Sequence, residues 1–358
     1  MIRVYEPYIT NKSRIYVNET ISSGWISWHG TYSEKVAESL SNLVGTDYCL
    51  LVSSGTTGMH IASCVLKKFY PKVKRLVFPS AAYIAAYSPF MFDGDEFDII
   101  LEDLSMDTWN PSYDIEAGED TAFVITHNVG NTVNVLDLKK RYPDSIFIED
   151  NCEGFMGEYD NSPTGSAADI SVCSFFANKT ITCGEGGAVF LKDKDQYEYA
   201  MKIRGQGQSE KRFIHDEMGY NYRLTNVQAA LLYGQLEELQ IIKENKRRIF
   251  NRYRKNLDGV FKIPTGDPNT KSSEWMFGVE SKRTFDEVSH QLSKSEIECR
   301  PMFYPYSYHG WLPKPISGCE NNAKYLSERC VILPSSPNLD DFQVDYICEN
   351  LIKGEPNE

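Results

Sequence analysis

From residue 48 onward short apolar runs alternate with stretches that read as helices, and this alternation restricts the fold more than any other feature of the chain. YCLLV (48–52) precedes TTGMHIASCVLKKF, RLVFP (75–79) precedes the helical stretch AYIAAYSPFMF, and FDIIL, TAFVIT (121–126) and SIFIE (145–149) follow as further strand candidates. Apolar runs of this length between helices predict strands buried on both faces of one sheet. The expected class is α/β, a large domain with a mostly parallel mixed sheet flanked by helices, followed by a smaller C-terminal α+β domain.

Two runs break the rhythm. ISVCSF (170–175) and GAVFL (187–191) lie close together, and the connection carrying Lys179 is too short for a crossover helix, so it is predicted to be a turn. Upstream, residues 8–45 hold two short helices, NKSRIYVNETISSG and TYSEKVAESLSNLVG, the second with Ser33 as its cap and Gly45 as its stop. Downstream, residues 224–257 read as one long amphipathic helix joining a large domain, 1–223, to a small one, 258–358, whose tail GEPNE is expected to fray.

Composition narrows the partners. With 358 residues, 41% hydrophobic and 24% charged, the chain has the make-up of an ordinary globular protein too long for one small core. A net charge of −13 argues against nucleic acid and acidic membrane surfaces as partners. The nine cysteines form no CxxC pair and fit reduced thiols, not a disulfide framework or a metal site. MIRVYEPYIT has no apolar leader core and no window approaches a membrane span, so the expected location is cytoplasmic.

Three features could carry chemistry. SSGTTG (53–58) places backbone N–H groups at a helix start, where phosphate is favoured, although ordinary helices begin this way too. Asp150 ends an apolar run, at the edge where parallel sheets meet ligands; alone it reads equally as a turn or cap carboxylate. Lys179, set in SFFANKTITCGEGG, suits an amine nucleophile and proton carrier, against the plain alternative of an exposed loop lysine. Together the three meet the needs of pyridoxal 5′-phosphate: a lysine to bond it, an aspartate to keep its ring nitrogen protonated, and a turn to anchor its phosphate. A dinucleotide-binding oxidoreductase is disfavoured, because GEGG follows the lysine and no GxGxxG follows a first strand.

At this point the chain resembles the DegT/DnrJ/EryC1/StrS sugar aminotransferases, a branch of the fold-type I pyridoxal phosphate enzymes. The resemblance runs through VYEPYI, SGWIS, SSGTTGMHIA, FPSAAYIA, IEDNCEGFMGEY, SFFANKTITCGEGGAV, IRGQGQ, HDEMGYNYRLTNVQAALLYGQLE and RPMFYP, nearly the whole length. It implies that Lys179 is the Schiff-base lysine and Asp150 the pyridinium partner, with Glu153 near the phenolic oxygen and Tyr83 stacked on the ring. It also implies that Thr56, Thr57 and Ser174 hold the phosphate. Asn221 matches a residue that reaches the phosphate from a neighbouring subunit, so a homodimer with shared sites is implied. Arg204, Arg223, His215, Arg300 and Tyr304, with Trp25, Ser27, Trp28 and His29, are candidates to meet the nucleotide or sugar; solvation or packing is the plain alternative for each. The chain departs from the family pattern at Val129 and Thr132, where a tyrosine and a proline are common, at Ala82, and at Ser307.

The activity implied is amino transfer from L-glutamate to C4 of a nucleotide-linked 4-keto-6-deoxyhexose, with pyridoxamine 5′-phosphate as the intermediate form of the cofactor. The resemblance points to the GDP-linked manno sugar and GDP-perosamine, with UDP- or dTDP-linked gluco sugars and viosamine products as rivals. A sugar dehydratase is disfavoured because such relatives often carry histidine where Lys179 stands. A non-catalytic regulator is disfavoured by intact Lys179, Asp150 and Ser174.

Overall fold

The computed structural model describes residues 1–94 and 97–356. Helices α1 (Asn11–Ser23) and α2 (Thr31–Val44) lead into β1 (Tyr48–Val52), α3 (Gly55–Phe69), β2 (Arg75–Pro79), β3 (Asp98–Glu102), β4 (Thr121–Thr126), α4 (Val135–Arg141) and β5 (Ile146–Asp150). A short hairpin, β6 (Glu158–Tyr159) and β7 (Ser162–Pro163), precedes β8 (Ile170–Ser174), β9 (Gly187–Leu191) and α5 (Lys194–Arg204). Helices α6 (Asn226–Leu236) and α7 (Leu239–Leu257) follow, then β10 (Thr270–Lys271), β11 (Phe277–Glu280), α8 (Phe285–Lys294) and β12 (Arg300–Pro301). The chain closes with β13 (Ser317–Gly318), α9 (Asn321–Arg329), β14 (Cys330–Leu333) and α10 (Asp341–Ile352).

The fold is α/β, as the alternation predicts. Eight strands form one mixed sheet in the order β1-β9-β8-β5-β4-β2-β3-β13, and β9 alone runs against its neighbours. Because side chains alternate across a strand, Ile148 packs into one core cluster with α3 while its neighbour Phe147 packs into another on the opposite face. Covering both faces leaves the strands' C-terminal edge as the open side. Register brings Thr126 level with Asp150 there, with Ser174 at the end of the adjoining strand. A third core, built from α7, α8, α10, β11 and β14, lies in the C-terminal part.

Local departures from the sequence reading have physical reasons. The stretch expected to be helical after β2 forms two 3₁₀ turns, Ile84–Ala86 and Ser88–Met91. Pro89 supplies no N–H and restricts Ser88 before it, so a regular helix cannot run through. Ser33 is not the cap of α2; the cap position is Gly30, and Oδ1 of Asn226 accepts the backbone N–H groups of Tyr32 and Ser33, each at 3.1 Å. Gly45 ends α2 in the left-handed conformation, as expected.

The interval 224–257 is two helices, not one. Glu238, at φ −112° and ψ 16°, interrupts the helical backbone. The two halves bury different faces: α6 lies on α1 and α2, where a Cβ at Gly234 would sit 2.2 Å from the Ser13 nitrogen, whereas α7 feeds Ile249, Phe250 and Tyr253 into the C-terminal core. One straight axis cannot serve both. The tail is held as far as Glu355, which accepts from Ser281 Oγ at 2.8 Å; residues 357 and 358 of the expected frayed end lie outside the described residues. Among the described residues no helix is long and apolar enough to cross a membrane, and none of the nine cysteines is in a disulfide.

Candidate active site

A cavity of about 650 Å³ opens at the C-terminal edge of the sheet, and Thr56, Tyr83, Asp150, Glu153, Ser174 and Lys179 line it. These residues come from four separate segments, brought together by the parallel strands ending side by side.

The floor is a helix start. Ser54 caps α3 and Thr57 closes the capping box: the Thr57 N–H donates to Ser54 Oγ at 3.1 Å, and the Ser54 N–H donates to Thr57 Oγ1 at 3.1 Å. Thr57 is thus engaged in the cap, and Thr56 faces the cavity. Close approach of backbone is essential at two glycines. A Cβ at Gly55 would stand 2.9 Å from Ser174 Cβ, and one at Gly187 would stand 2.6 Å from the Ser54 carbonyl oxygen. The pair leaves a cradle of free amides beside the Ser174 hydroxyl, suited to an anion.

Asp150, at the end of β5, is 8% exposed and accepts the Cys152 N–H at 3.2 Å. Burial raises its pKa above the ordinary carboxylate value, more strongly than Lys179 lowers it. A carboxylate in that setting calls for a cationic donor inside the cavity. Glu153 is also raised, to about 7, chiefly by burial; Lys179 works against the shift and Asp150 adds to it.

Lys179 sits on the turn between the antiparallel β8 and β9, where the short connection placed it. Its Nζ stands 3.9 Å from Glu153 Oε1 and 3.9 Å from the centroid of the Trp275 ring. The indole Nε1–H donates to the Asn178 carbonyl at 2.8 Å, so Trp275 braces the turn as well as covering the ammonium. At the mouth, Tyr83 is 58% exposed, with its ring 6.1 Å from that of Phe303.

Trp275 and His127 line the cavity without having been singled out from sequence. His127 Nδ1 accepts the Val133 N–H at 3.0 Å, which puts the ring proton on Nε2, where it is donated to Glu149 Oε1 at 2.9 Å. Glu149 also accepts from the Gly165 N–H at 2.7 Å and the Tyr159 hydroxyl at 3.2 Å, an enclosed network directly behind Asp150. A polar residue immediately after the buried run TAFVIT was the available signal for His127.

The remaining candidates divide. Arg300 lines the cavity, whereas Tyr304 stacks on Tyr308 with centroids 5.8 Å apart and does not line it. Asn221, Arg223, His215, Trp25, Ser27 and His29 also lie outside it. Arg223 Nε–H donates to Asn221 Oδ1 at 3.1 Å, its guanidinium lies 5.4 Å from the Trp28 ring centroid, and His215 Nδ1 is 2.9 Å from the Gln206 carbonyl. Trp25 is 64% exposed, and the Ser27 carbonyl accepts the Asn226 N–H. Arg204 donates to the Leu51 carbonyl at 2.8 Å, and burial pushes its pKa down to about 10.

The arrangement meets the chemical needs of pyridoxal 5′-phosphate: phosphate donors beside Thr56 and Ser174, a buried acid at Asp150 and an amine at Lys179. Comparison with known proteins agrees. The DegT/DnrJ/EryC1/StrS aminotransferase family model matches residues 7–352. GDP-perosamine synthase of Escherichia coli O157:H7 is 33% identical over 366 residues, spanning 98% of this chain and 97% of that protein. Its counterpart from Vibrio cholerae is 29% identical, spanning 99% and 98%. In fold, the aminotransferase TlmJ from Streptoalloteichus hindustanus superposes with a TM-score of 0.88 at 22% identity, over 99% of this chain and 98% of its own.

Proposed function

The chain belongs to the DegT/DnrJ/EryC1/StrS aminotransferase family, pyridoxal phosphate-dependent sugar aminotransferases, and we propose that it moves an amino group from L-glutamate to C4 of GDP-4-keto-6-deoxy-D-mannose, giving GDP-perosamine. Similarity to two GDP-perosamine synthases over nearly full length supports the GDP-linked manno sugar over UDP- or dTDP-4-keto-6-deoxy-D-glucose. The chemistry rests on one arrangement: Lys179 Nζ projects into a cavity that also holds the buried carboxylate of Asp150.

The bound cofactor would supply a protonated ring able to accept the electron pair left when a Cα–H bond breaks. Asp150 would accept the ring N–H and keep that proton in place. Lys179 would take the proton from the donor's Cα, hold it on Nζ and pass it to the cofactor carbon that receives the amino group; for the sugar the same amine would take that proton back and deliver it to C4. Trp275 covers one side of that amine and keeps water from it. Glu153, fixed by the Val129 N–H, faces the amine from a second side. Two half-reactions at one amine predict ping-pong kinetics. Asn221 would act from a neighbouring chain of a homodimer, which accounts for its place outside the cavity of its own chain.

Purified protein supplied with glutamate and each of the three keto sugars, with products read by mass spectrometry, tests the reading. Amination of the GDP sugar above the others is expected; amination of none overturns it. Lys179→Ala should lose both turnover and the visible absorbance of lysine-bound cofactor.

A further inference from the structure

Lys246, on α7, is 1% exposed, a rare place for a lysine. Its Nζ donates to two backbone carbonyls, Trp275 and Ser335, each at 2.6 Å, and lies 5.3 Å from the ring centroid of Tyr5 and 5.1 Å from that of Phe250. The nearby acid, Glu274, is held by Arg247 at 4.0 Å and Arg254 at 3.7 Å. Burial pushes the Lys246 ammonium down to about 7, with Glu274 opposing the shift.

Sequestering an ammonium this way is costly, and a methionine or leucine would fill the same helix face without that cost. What an apolar side chain cannot do is bond carbonyls. From the two bonded carbonyls and the Tyr5 ring, two arms reach the same short turn. Along the first, the residue whose carbonyl Lys246 holds is Trp275, whose Nε1–H donates to the Asn178 carbonyl and whose ring lies 3.9 Å from Lys179 Nζ. Along the second, the Tyr5 hydroxyl donates to the Lys179 carbonyl at 3.0 Å, and burial holds that phenol well above its usual range, so it stays a donor. The segment carrying Tyr5 is itself tied in, since the Ser335 N–H donates to the Val4 carbonyl at 2.9 Å and the Ser335 carbonyl accepts from Lys246.

We propose that Lys246 is a positioning residue for Lys179: through Trp275 and Tyr5 it sets both the backbone of the turn and the direction of the amine. The carbonyls of residues 178 and 179 are gripped from two sides by groups that share one buried ammonium. This rests on the reading of Lys179 as the cofactor-bonding lysine.

The test uses the whole chain, freed of cofactor, as wild type and as Lys246→Met, Tyr5→Phe and Lys179→Ala. Three quantities are read: the rate at which apoprotein captures pyridoxal phosphate as a visible chromophore, the pH midpoint of that chromophore, and the melting temperature. Lys246→Met is expected to slow capture about tenfold, the scale on which outer partners tune a site, and to displace the midpoint. Tyr5→Phe should do the same to a smaller degree. A purely structural lysine would lower only the melting temperature, so wild-type capture and midpoint in folded Lys246→Met overturn the proposal. Should Lys246→Met not fold, Tyr5→Phe decides: slower capture supports the proposal and wild-type capture overturns it. Lys179→Ala must capture nothing as a chromophore; if it did, the reading of Lys179 would fail instead.

Discussion

The backbone N–H of Val129 donates to Oε2 of Glu153 at 3.0 Å, from a residue held at φ +53°. That conformation is unfavourable for a β-branched side chain, so the surrounding structure imposes it. It aims an amide at the carboxylate that also faces Lys179.

Burial outweighs that amide, and Glu153 holds its proton up to about 7 instead of the ordinary 4.5. A carboxyl whose pKa is raised on folding contributes stability that is fully present below the unfolded value and lost as pH rises through the folded one. The apoprotein should therefore lose about 3 kcal/mol between pH 4.5 and 8 from this group, and Asp150 pushes in the same direction. Glu153→Gln keeps an acceptor for the Val129 N–H and removes the charge. Its thermal unfolding curve should show a flatter pH dependence and a higher melting temperature at pH 8; an unchanged slope would contradict the assignment.

Trp275→Ala removes the ring 3.9 Å from the Lys179 ammonium and the indole bond to Asn178. A cation–π contact contributes roughly 0.5 to 2 kcal/mol, so kcat/KM should fall roughly 2- to 30-fold. Trp275→Phe keeps a face and should lose less. Steady-state kinetics with glutamate varied at fixed keto sugar would measure both.

Gly55→Ala forces a methyl to within 2.9 Å of Ser174 Cβ and 3.0 Å of Cys152 Sγ. Overpacking of this kind costs about 1 to 3 kcal/mol. Because the methyl pushes the helix start away from Ser174, cofactor affinity should drop by roughly tenfold or more, read by titrating apoprotein with pyridoxal phosphate. Binding as tight as in the wild type would rule out this cradle as the phosphate seat.

The proposed sharing of sites between two chains predicts complementation. Lys179→Ala and Asn221→Ala chains are each expected to be inactive or nearly so. If Asn221 serves the partner's site, mixing them in equal amounts gives mixed dimers with one intact site in two. Activity should then recover to about a quarter of wild type. No recovery after verified subunit exchange would place Asn221 with its own chain.

Much of the fold and of the site is legible in the sequence. Strands such as TAFVIT announce themselves because burial on both faces demands unbroken apolar runs, and SFFANKTITCGEGG carries Ser174 and Lys179 on one local motif. The break at Glu238 was hidden because neither proline nor glycine marks it; only the different packing partners of the two helices separate them. Trp275 and Lys246 were invisible for a related reason. Each reads as an ordinary core or surface residue in its own neighbourhood, and only the packing of the C-terminal core onto the sheet edge brings them to Lys179.

One consequence follows from β9 running between β1 and β8. Tyr48 pairs with Leu191, so β1, the earliest strand of this sheet in sequence, has no neighbour in it until β9 is made. Until then β1 is unpaired and β8 leaves a sheet edge open, and both strands are made largely of apolar residues. Nascent chains stopped before Gly187 should be the sticky ones, prone to pair with each other and to need a chaperone. The same strand that joins β1 to β8 also closes the turn on which Lys179 sits, so the sheet is bridged and the amine is placed by one pairing.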